Sequence, residues 1–82
     1  MADLVSIFLN KVKQFSSVDF EQFVSGFKKK YPKIKTMQSS TDKMIWGFFP
    51  KDTDAQFKYD PKELTLYTDL TQTQVYQFVK NS

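Results

Sequence analysis

The stretch of residues 43–50 constrains the fold of this chain more than any other part of the sequence. It is the longest apolar run, and it holds the only tryptophan, Trp46. A strand with apolar residues on both of its alternating faces usually lies in the middle of a sheet, covered on one side and at least partly on the other. We therefore predict a central strand here. Met44, Trp46 and Phe48 share one face of this strand, and Ile45 and Phe49 share the other.

The residues before this strand predict two helices. Apolar residues recur at helical spacing over residues 4–15, and Asp3 stands where a capping residue is expected. The same spacing returns over residues 18–30, after a capping Ser17. Because the connection is so short, we expect the two helices to form a hairpin or a tight corner. Gly26 costs the second helix about 1 kcal/mol relative to Ala, which a closely packed neighbouring backbone would explain.

An edge strand is predicted beside the central strand, over residues 33–38. Its two apolar members, Ile34 and Met37, fall on opposite faces of a regular strand, which is typical of an edge strand with a bulge. Inside the central strand, Gly47 indicates a bulge or the close approach of another backbone.

A β-hairpin is predicted after the central strand. Its strands cover residues 56–59 and 64–68, and the four residues between them begin with Asp60 and Pro61, the favoured first two residues of a type I turn. The period of two along a strand then assigns a face to each side chain. Phe57 and Tyr59 share one face of the first strand, Leu64 and Leu66 share one face of the second, and Lys58, Thr65 and Tyr67 point the other way.

The last predicted element is a helix that ends near Lys80. It starts with a capping box formed by Thr71 and Gln74, and Leu70 and Val75 stand at the two positions of a hydrophobic staple. Together these elements predict one α+β domain over residues 1–82, with the order α-α-β-β-β-β-α. We expect a small two-layer sandwich, in which an antiparallel meander sheet carries the helices on one face.

The chain lacks three residue types on which much protein chemistry depends. It contains no cysteine and no histidine, and all of its basic residues are lysine. Disulfides, thiolate metal sites and histidine general bases are therefore excluded, and lysine lacks the planar fork with which arginine reads bases. Asp52, Asp54 and Glu63 have the spacing of a calcium loop, but Phe57 replaces its required glycine. We expect no metal, no cofactor and no enzymatic activity.

The sheet holds more aromatic side chains than a single covered face needs. If the helices cover one face, part of this set lies on an open surface, unless a loop or the last helix covers it as well. An exposed apolar patch marks an interface, and Trp and Tyr are enriched at binding hot spots. We therefore predict a small interaction module, regulator-like, inhibitor-like or self-associating, that binds a protein partner. The candidate anchors are Trp46, Phe48, Phe49 and Tyr67.

A lysine-rich segment supports an alternative function. Residues 28–35 contain five lysines and no acid, and the net charge of the chain is +3. Such a segment can neutralise phosphates while Tyr31 or Trp46 stacks on a base, which predicts a nucleic-acid-binding module without sequence specificity. The same lysines also suit the end of a helix and an edge strand, where they complement the macrodipole and discourage edge pairing. The candidate residues are Lys28, Lys29, Lys30, Lys33 and Lys35.

The sequence has no feature of a membrane or secreted protein. Its longest apolar run is far shorter than the roughly 20 residues that span a bilayer. Its first residues lack the basic segment and the cleavage site of a secretory signal. We expect a cytoplasmic protein that does not bind membranes.

Overall fold

The computed structural model of the protein describes residues 8–52 and 54–82, and within these ranges five strands and two helices follow in the order β-α-β-β-β-β-α. The strands form one antiparallel sheet. The predicted α+β class is confirmed, and the predicted order is wrong at its first element. Along the chain the elements are β1 (Asn10–Val12), α1 (Ser17–Lys30), β2 (Lys35–Gln38), β3 (Ile45–Phe48), β4 (Ala55–Asp60), β5 (Thr65–Thr68) and α2 (Gln72–Lys80).

The first described element, β1, corrects the helix predicted at the start of the chain. Its last residue, Val12, lies opposite Leu66 of β5 and is 3% exposed. Gln14 then adopts a left-handed conformation, with a φ of 56°, and Phe15 enters the core. Backbone groups along this side of β5 need partners, and that long-range requirement overrides the local helical spacing. The first four residues of the predicted helix, residues 4–7, and its capping residue Asp3 lie outside the described residues.

The sheet has the spatial order β1-β5-β4-β3-β2. The strands from β2 to β5 form the predicted meander, but β4 rather than β3 occupies the middle place. β2 is an edge strand, as predicted, and pairs with β3 in regular register over Lys35–Gln38, without the predicted bulge. The register between β3 and β4 shifts at Gly47 and Phe48, which confirms the bulge predicted there. A Cβ atom at Gly47 would overlap the ring of Phe57.

The helices pack on one face of the sheet, which we call the inner face. Phe20 of α1 stacks on Tyr59 of β4 with ring centroids 4.4 Å apart, and Phe23 meets Phe57 edge to face at 5.1 Å. The Tyr59 hydroxyl donates a hydrogen bond to the carbonyl oxygen of Phe15 at 2.6 Å. Burial raises the pKa of this phenol. Because all of these side chains are at most 5% exposed, the apolar residues predicted at helical spacing over residues 18–30 contribute Phe20 and Phe23 to the core.

The two helices approach each other closely at Gly26. A Cβ atom at this position would overlap the backbone carbonyl of Phe78 in α2, so the predicted contact with another backbone is confirmed. α1 begins one residue before the predicted start. Ser16 rather than Ser17 is its cap, and the Ser16 hydroxyl accepts a hydrogen bond from the Asp19 backbone nitrogen at 3.1 Å.

The predicted β4–β5 hairpin forms, and its turn covers residues 61–64, one residue later than predicted. The Asp60 carboxylate accepts hydrogen bonds from the backbone N–H groups of Lys62 and Glu63 at 2.9 and 3.2 Å. Leu64 has a φ of 52° and is 43% exposed. It therefore belongs to the turn and does not share a buried strand face with Leu66, which is fully buried.

The predicted capping box begins α2. The Thr71 hydroxyl accepts a hydrogen bond from the Gln74 backbone nitrogen at 3.2 Å, and the Gln74 side chain accepts one from the Thr71 backbone nitrogen at 2.9 Å. Val75 is fully buried, while Phe78 and Val79 are partly buried against the core. These contacts attach α2 to the same inner face as α1.

Candidate functional site

The face of the sheet turned away from α1 and α2, which we call the outer face, carries a row of side chains that crosses every strand. Lys11 lies opposite Tyr67, and Tyr67 lies opposite Lys58. Lys58 lies opposite Trp46, and Trp46 lies opposite Met37. In spatial order the members of this outer row are Lys11, Tyr67, Lys58, Trp46 and Met37.

The ammonium group of Lys58 lies over two aromatic rings of the outer row. Its Nζ atom is 4.7 Å from the ring centroid of Tyr67 and 5.2 Å from that of Trp46. Both distances lie within the range of about 6 Å in which a cation is attracted to a ring face. All three residues are half-buried. The row therefore places two rings and a positive charge side by side.

The neighbouring part of the outer face is apolar and basic. Lys35 of β2 lies opposite Phe48 of β3. Phe48 is half-buried, Lys35 is exposed, and Met37 at the end of the outer row is 51% exposed. At the hairpin end of the strands, the Asp60 carboxylate is engaged by the backbone N–H groups of the turn. Lysines and rings therefore dominate this face.

Three of the four predicted anchors share the outer face. Trp46, Phe48 and Tyr67 lie there, as the alternation along β3 and β5 predicts. Phe49 packs against the core instead, and its ring centroid lies 5.9 Å from that of Tyr31. The predicted protein-binding set therefore occupies two separate places.

The predicted polyanion-binding lysines are divided in the same way. Lys28, Lys29 and Lys30 are exposed in the last turn of α1, where they complement the macrodipole. Lys33 is exposed in the turn before β2, and Lys35 begins β2 opposite an outer-face ring. Of these five lysines, Lys35 lies on the outer face, and the three helix lysines lie in the helix layer.

Two lysines of the outer row, Lys58 and Lys11, were missed as candidates from the sequence. Lys58 alternates with the buried residues Phe57 and Tyr59, and this period of two is the signal that places it on the outer face. Its position beside Trp46 depends on the register between β3 and β4, which no local pattern specifies. Lys11 was missed because a helix was predicted over its position.

Within residues 8–52 and 54–82, no group of three Cys, His, Asp or Glu side chains is arranged to hold a metal ion. In the same part of the chain, neither helix is long and apolar enough to cross a membrane. Comparison with known protein families, with curated proteins and with solved structures found no match to the chain. A functional proposal therefore rests on the outer face itself.

Proposed function

We propose that this protein is a non-enzymatic module that binds single-stranded nucleic acid through the outer face, without sequence specificity. The observation that carries the proposal is the position of Lys58 over the rings of Trp46 and Tyr67. Aromatic rings stack on bases of any sequence, and lysines neutralise the phosphates between the bases. The outer row combines both groups on one surface.

The spacing of the rings supports an extended single strand of nucleic acid as the ligand. Tyr67 and Trp46 belong to strands that are two places apart in the sheet, so their backbones are roughly 10 Å apart. Rings at this separation stack on different bases, and Lys58 between them faces the phosphates that join those bases. Lys11 and Lys35 continue the positive charge towards the two edges of the sheet.

A polyanion suits this face better than a typical protein partner does. Lysine is depleted from the cores of protein interfaces, where aromatic residues, methionine and arginine are enriched. Here a lysine occupies the centre of the row, and burying its charge without a paired acid is unfavourable. Since the chain has no arginine, the proposal does not include bidentate readout of base edges.

Titration of short oligonucleotides tests the proposal, because Trp46 is both the only tryptophan and a member of the outer row. A single strand should quench Trp46 fluorescence and bind with a Kd of about 1–100 µM at moderate salt. The affinity should fall steeply as salt is added, since counterions are released from the phosphates. A duplex should bind more weakly, because its bases are stacked on one another. A flat titration with the single strand would overturn the proposal.

Two variants locate the binding surface through the anisotropy of a labelled single strand. Tyr67→Ala removes a stacking ring and should cost about 1–3 kcal/mol of binding free energy. Lys58→Gln should weaken binding and reduce the salt dependence by about 0.7 in the slope of log K against log salt. Lys80→Gln removes the same charge from α2 and serves as the control. Equal losses from Lys58→Gln and Lys80→Gln would show that binding does not use the outer face.

A second candidate function is association with a protein through the same face. Met37 is 51% exposed beside Trp46, and Phe48 is half-buried on the neighbouring strand. An apolar flank that reaches an edge strand favours a protein contact. Sedimentation at micromolar concentration tests its simplest form, a dimer of this chain. A dimer that Met37→Lys dissociates would favour this candidate, and a monomer at every concentration would exclude its self-associating form.

A further inference from the structure

Two adjoining cavities lie at the end of the sheet where β3 ends and the chain enters β2. Their volumes are about 280 and 300 Å³, and both are lined by Pro32, Lys33 and Phe49. We call the two cavities together the Phe49 cleft. Together they reach the size of small-ligand sites, which is roughly 300–1,000 Å³.

Rings form the apolar part of the Phe49 cleft. Phe49 and Tyr31 meet edge to face, with centroids 5.9 Å apart and planes at 74°. Tyr31 is 37% exposed, and the rings of Pro32 and Pro50 add further flat apolar surface. Surfaces of this kind favour a planar ring as the ligand.

The polar part of the Phe49 cleft is positively charged. Among the described residues that line its two cavities, none is acidic. The Nζ atom of Lys30 lies 5.6 Å from the ring centroid of Tyr31 and complements the end of α1. The other three lysines lie outside that helix, so its macrodipole does not account for them. The four lysines are Lys30, Lys33, Lys35 and Lys51.

We propose that the Phe49 cleft binds a nucleoside phosphate. The base lies against Tyr31 and Phe49, and the phosphate contacts the lysines at the rim. This ligand class combines the two features that the cleft complements, a flat aromatic ring and negative charge. The binding is non-covalent and needs no chemical step.

The nucleoside phosphate has two sources, a free nucleotide or the terminal nucleotide of a strand. Lys35 connects the two sites, because it lines the Phe49 cleft and also lies opposite Phe48 on the outer face. A nucleic-acid strand that crosses the outer face therefore reaches the cleft with its terminal nucleotide. A free nucleotide fits the cleft whether or not a strand binds the outer face, so this inference goes beyond the function proposed above.

Titration of AMP into the isotope-labelled protein, followed through backbone amide shifts, tests this inference. Shifts should concentrate in residues 30–35 and 49–51. Adenosine and inorganic phosphate, titrated separately, should each bind roughly tenfold more weakly or worse, because one lacks the charge and the other lacks the stacking ring. Shifts that avoid both segments, or inorganic phosphate that binds as tightly as AMP, would overturn the proposal.

Charge-matched variants make the test specific to the cleft. The double variant Lys33→Gln with Lys51→Gln should lose most AMP affinity, while Lys62→Gln with Lys80→Gln changes the net charge equally and should retain it. Phe49→Leu keeps an apolar side chain in the packed position, removes the ring, and should weaken AMP binding roughly tenfold. Amide spectra of each variant verify that the fold is intact. Equal affinities of the two double variants would contradict the proposal.

A linear oligonucleotide and a circular one of the same sequence distinguish the two sources. If the cleft holds the end of an oligonucleotide, the linear form shifts residues 30–33 and 49–51, which lie away from the outer row, and the circular form does not. If it holds a free nucleotide, AMP shifts these residues and neither oligonucleotide does. The response of Trp46 reports on the outer face alone, so the two proposals fail independently.

Discussion

The two faces of the sheet are built by the same strands and differ in almost every physical property. On the inner face, Leu66, Tyr59 and Phe57 are at most 1% exposed and pack under the helices. On the outer face, the residues of the outer row are half-buried or exposed, and two of them are lysines. Neighbouring residues along β4 therefore alternate between buried and half-buried, because successive side chains point to opposite faces.

Two tyrosines show what this difference means for a single residue type. Tyr59 stacks on Phe20, donates its hydroxyl hydrogen to the Phe15 carbonyl, and is 1% exposed. Tyr67 is half-buried beneath the ammonium group of Lys58. The inner tyrosine is part of the core, whereas the outer one belongs to the proposed binding surface. Matched substitutions on the two faces should separate stability from binding.

The largest expected contrast comes from removing one ring on each face. Phe57→Ala deletes a fully buried ring and should lower the free energy of unfolding by about 3–5 kcal/mol. Trp46→Ala removes a larger ring from the half-buried outer face and should cost less than half as much. Denaturant unfolding measures both values. Equal losses would mean that the outer face is as much a part of the core as the inner one.

The helix layer provides the next test. Gly26→Ala places a methyl group where the Phe78 carbonyl lies, and should destabilise the protein by about 1–3 kcal/mol despite the better helix propensity of Ala. Ser25→Ala, at an exposed neighbouring position of α1, is the control and should be neutral or slightly stabilising. A stabilising effect of Gly26→Ala, measured by thermal unfolding, would show that the two helices separate easily.

A smaller effect is expected from removing a single hydroxyl group. Tyr59→Phe leaves the Phe15 carbonyl without its donor and should cost about 1–2 kcal/mol of unfolding free energy. Tyr67→Phe makes the same chemical change on the outer face and should alter stability by less than about 0.5 kcal/mol. If the two variants unfold at the same denaturant concentration, the inner hydrogen bond makes no net contribution.

Alkaline pH should reveal the same contrast. Burial, with smaller contributions from the charges of Asp19 and Asp60, raises the pKa of Tyr59 above its ordinary value of 10.0. The stability that comes from the neutral phenol is therefore fully present below pH 10.0 and is lost as the pH rises through the folded-state pKa. The free energy of unfolding of the natural protein should thus fall more steeply above this pH than that of Tyr59→Phe. Parallel curves would contradict the raised pKa.

The smallest effect on stability, with the sharpest effect on binding, is expected for Lys58→Gln. Its contacts with Trp46 and Tyr67 should contribute less than about 1 kcal/mol to folding, because cation–π pairs at accessible sites are weak. The same variant should weaken single-strand binding and its salt dependence, as described above. A large loss of stability would place Lys58 with the structural residues and remove it from the proposed binding site.

Much of the fold is predictable from local patterns. Four features depend on residues close together in the chain. They are the apolar stripe of α1, the capping box of α2, the bulge at Gly47 and the β4–β5 hairpin. The alternation along β4 and β5 also assigns Lys58 and Tyr67 to the face opposite Phe57 and Tyr59. The alternation along β3 places Trp46 and Phe48 on one face, and the alternation along β5 assigns Tyr67 to the face opposite Leu66.

The remaining features depend on contacts between distant parts of the chain. Val12 has helical spacing to Phe15, yet it joins a strand because β5, more than 50 residues later in the sequence, offers an unpaired edge. Lys58 lies over Trp46 only because β3 and β4 pair in one register, and a shift by one residue would turn every side chain of a strand to the other face. The sequence by itself determined the helices α1 and α2 and the alternation of faces along β3, β4 and β5, since these properties are set by neighbours along the chain. The tertiary structure decided the first strand, the outer row and the Phe49 cleft, because each is created by backbone pairing or packing that no local segment contains.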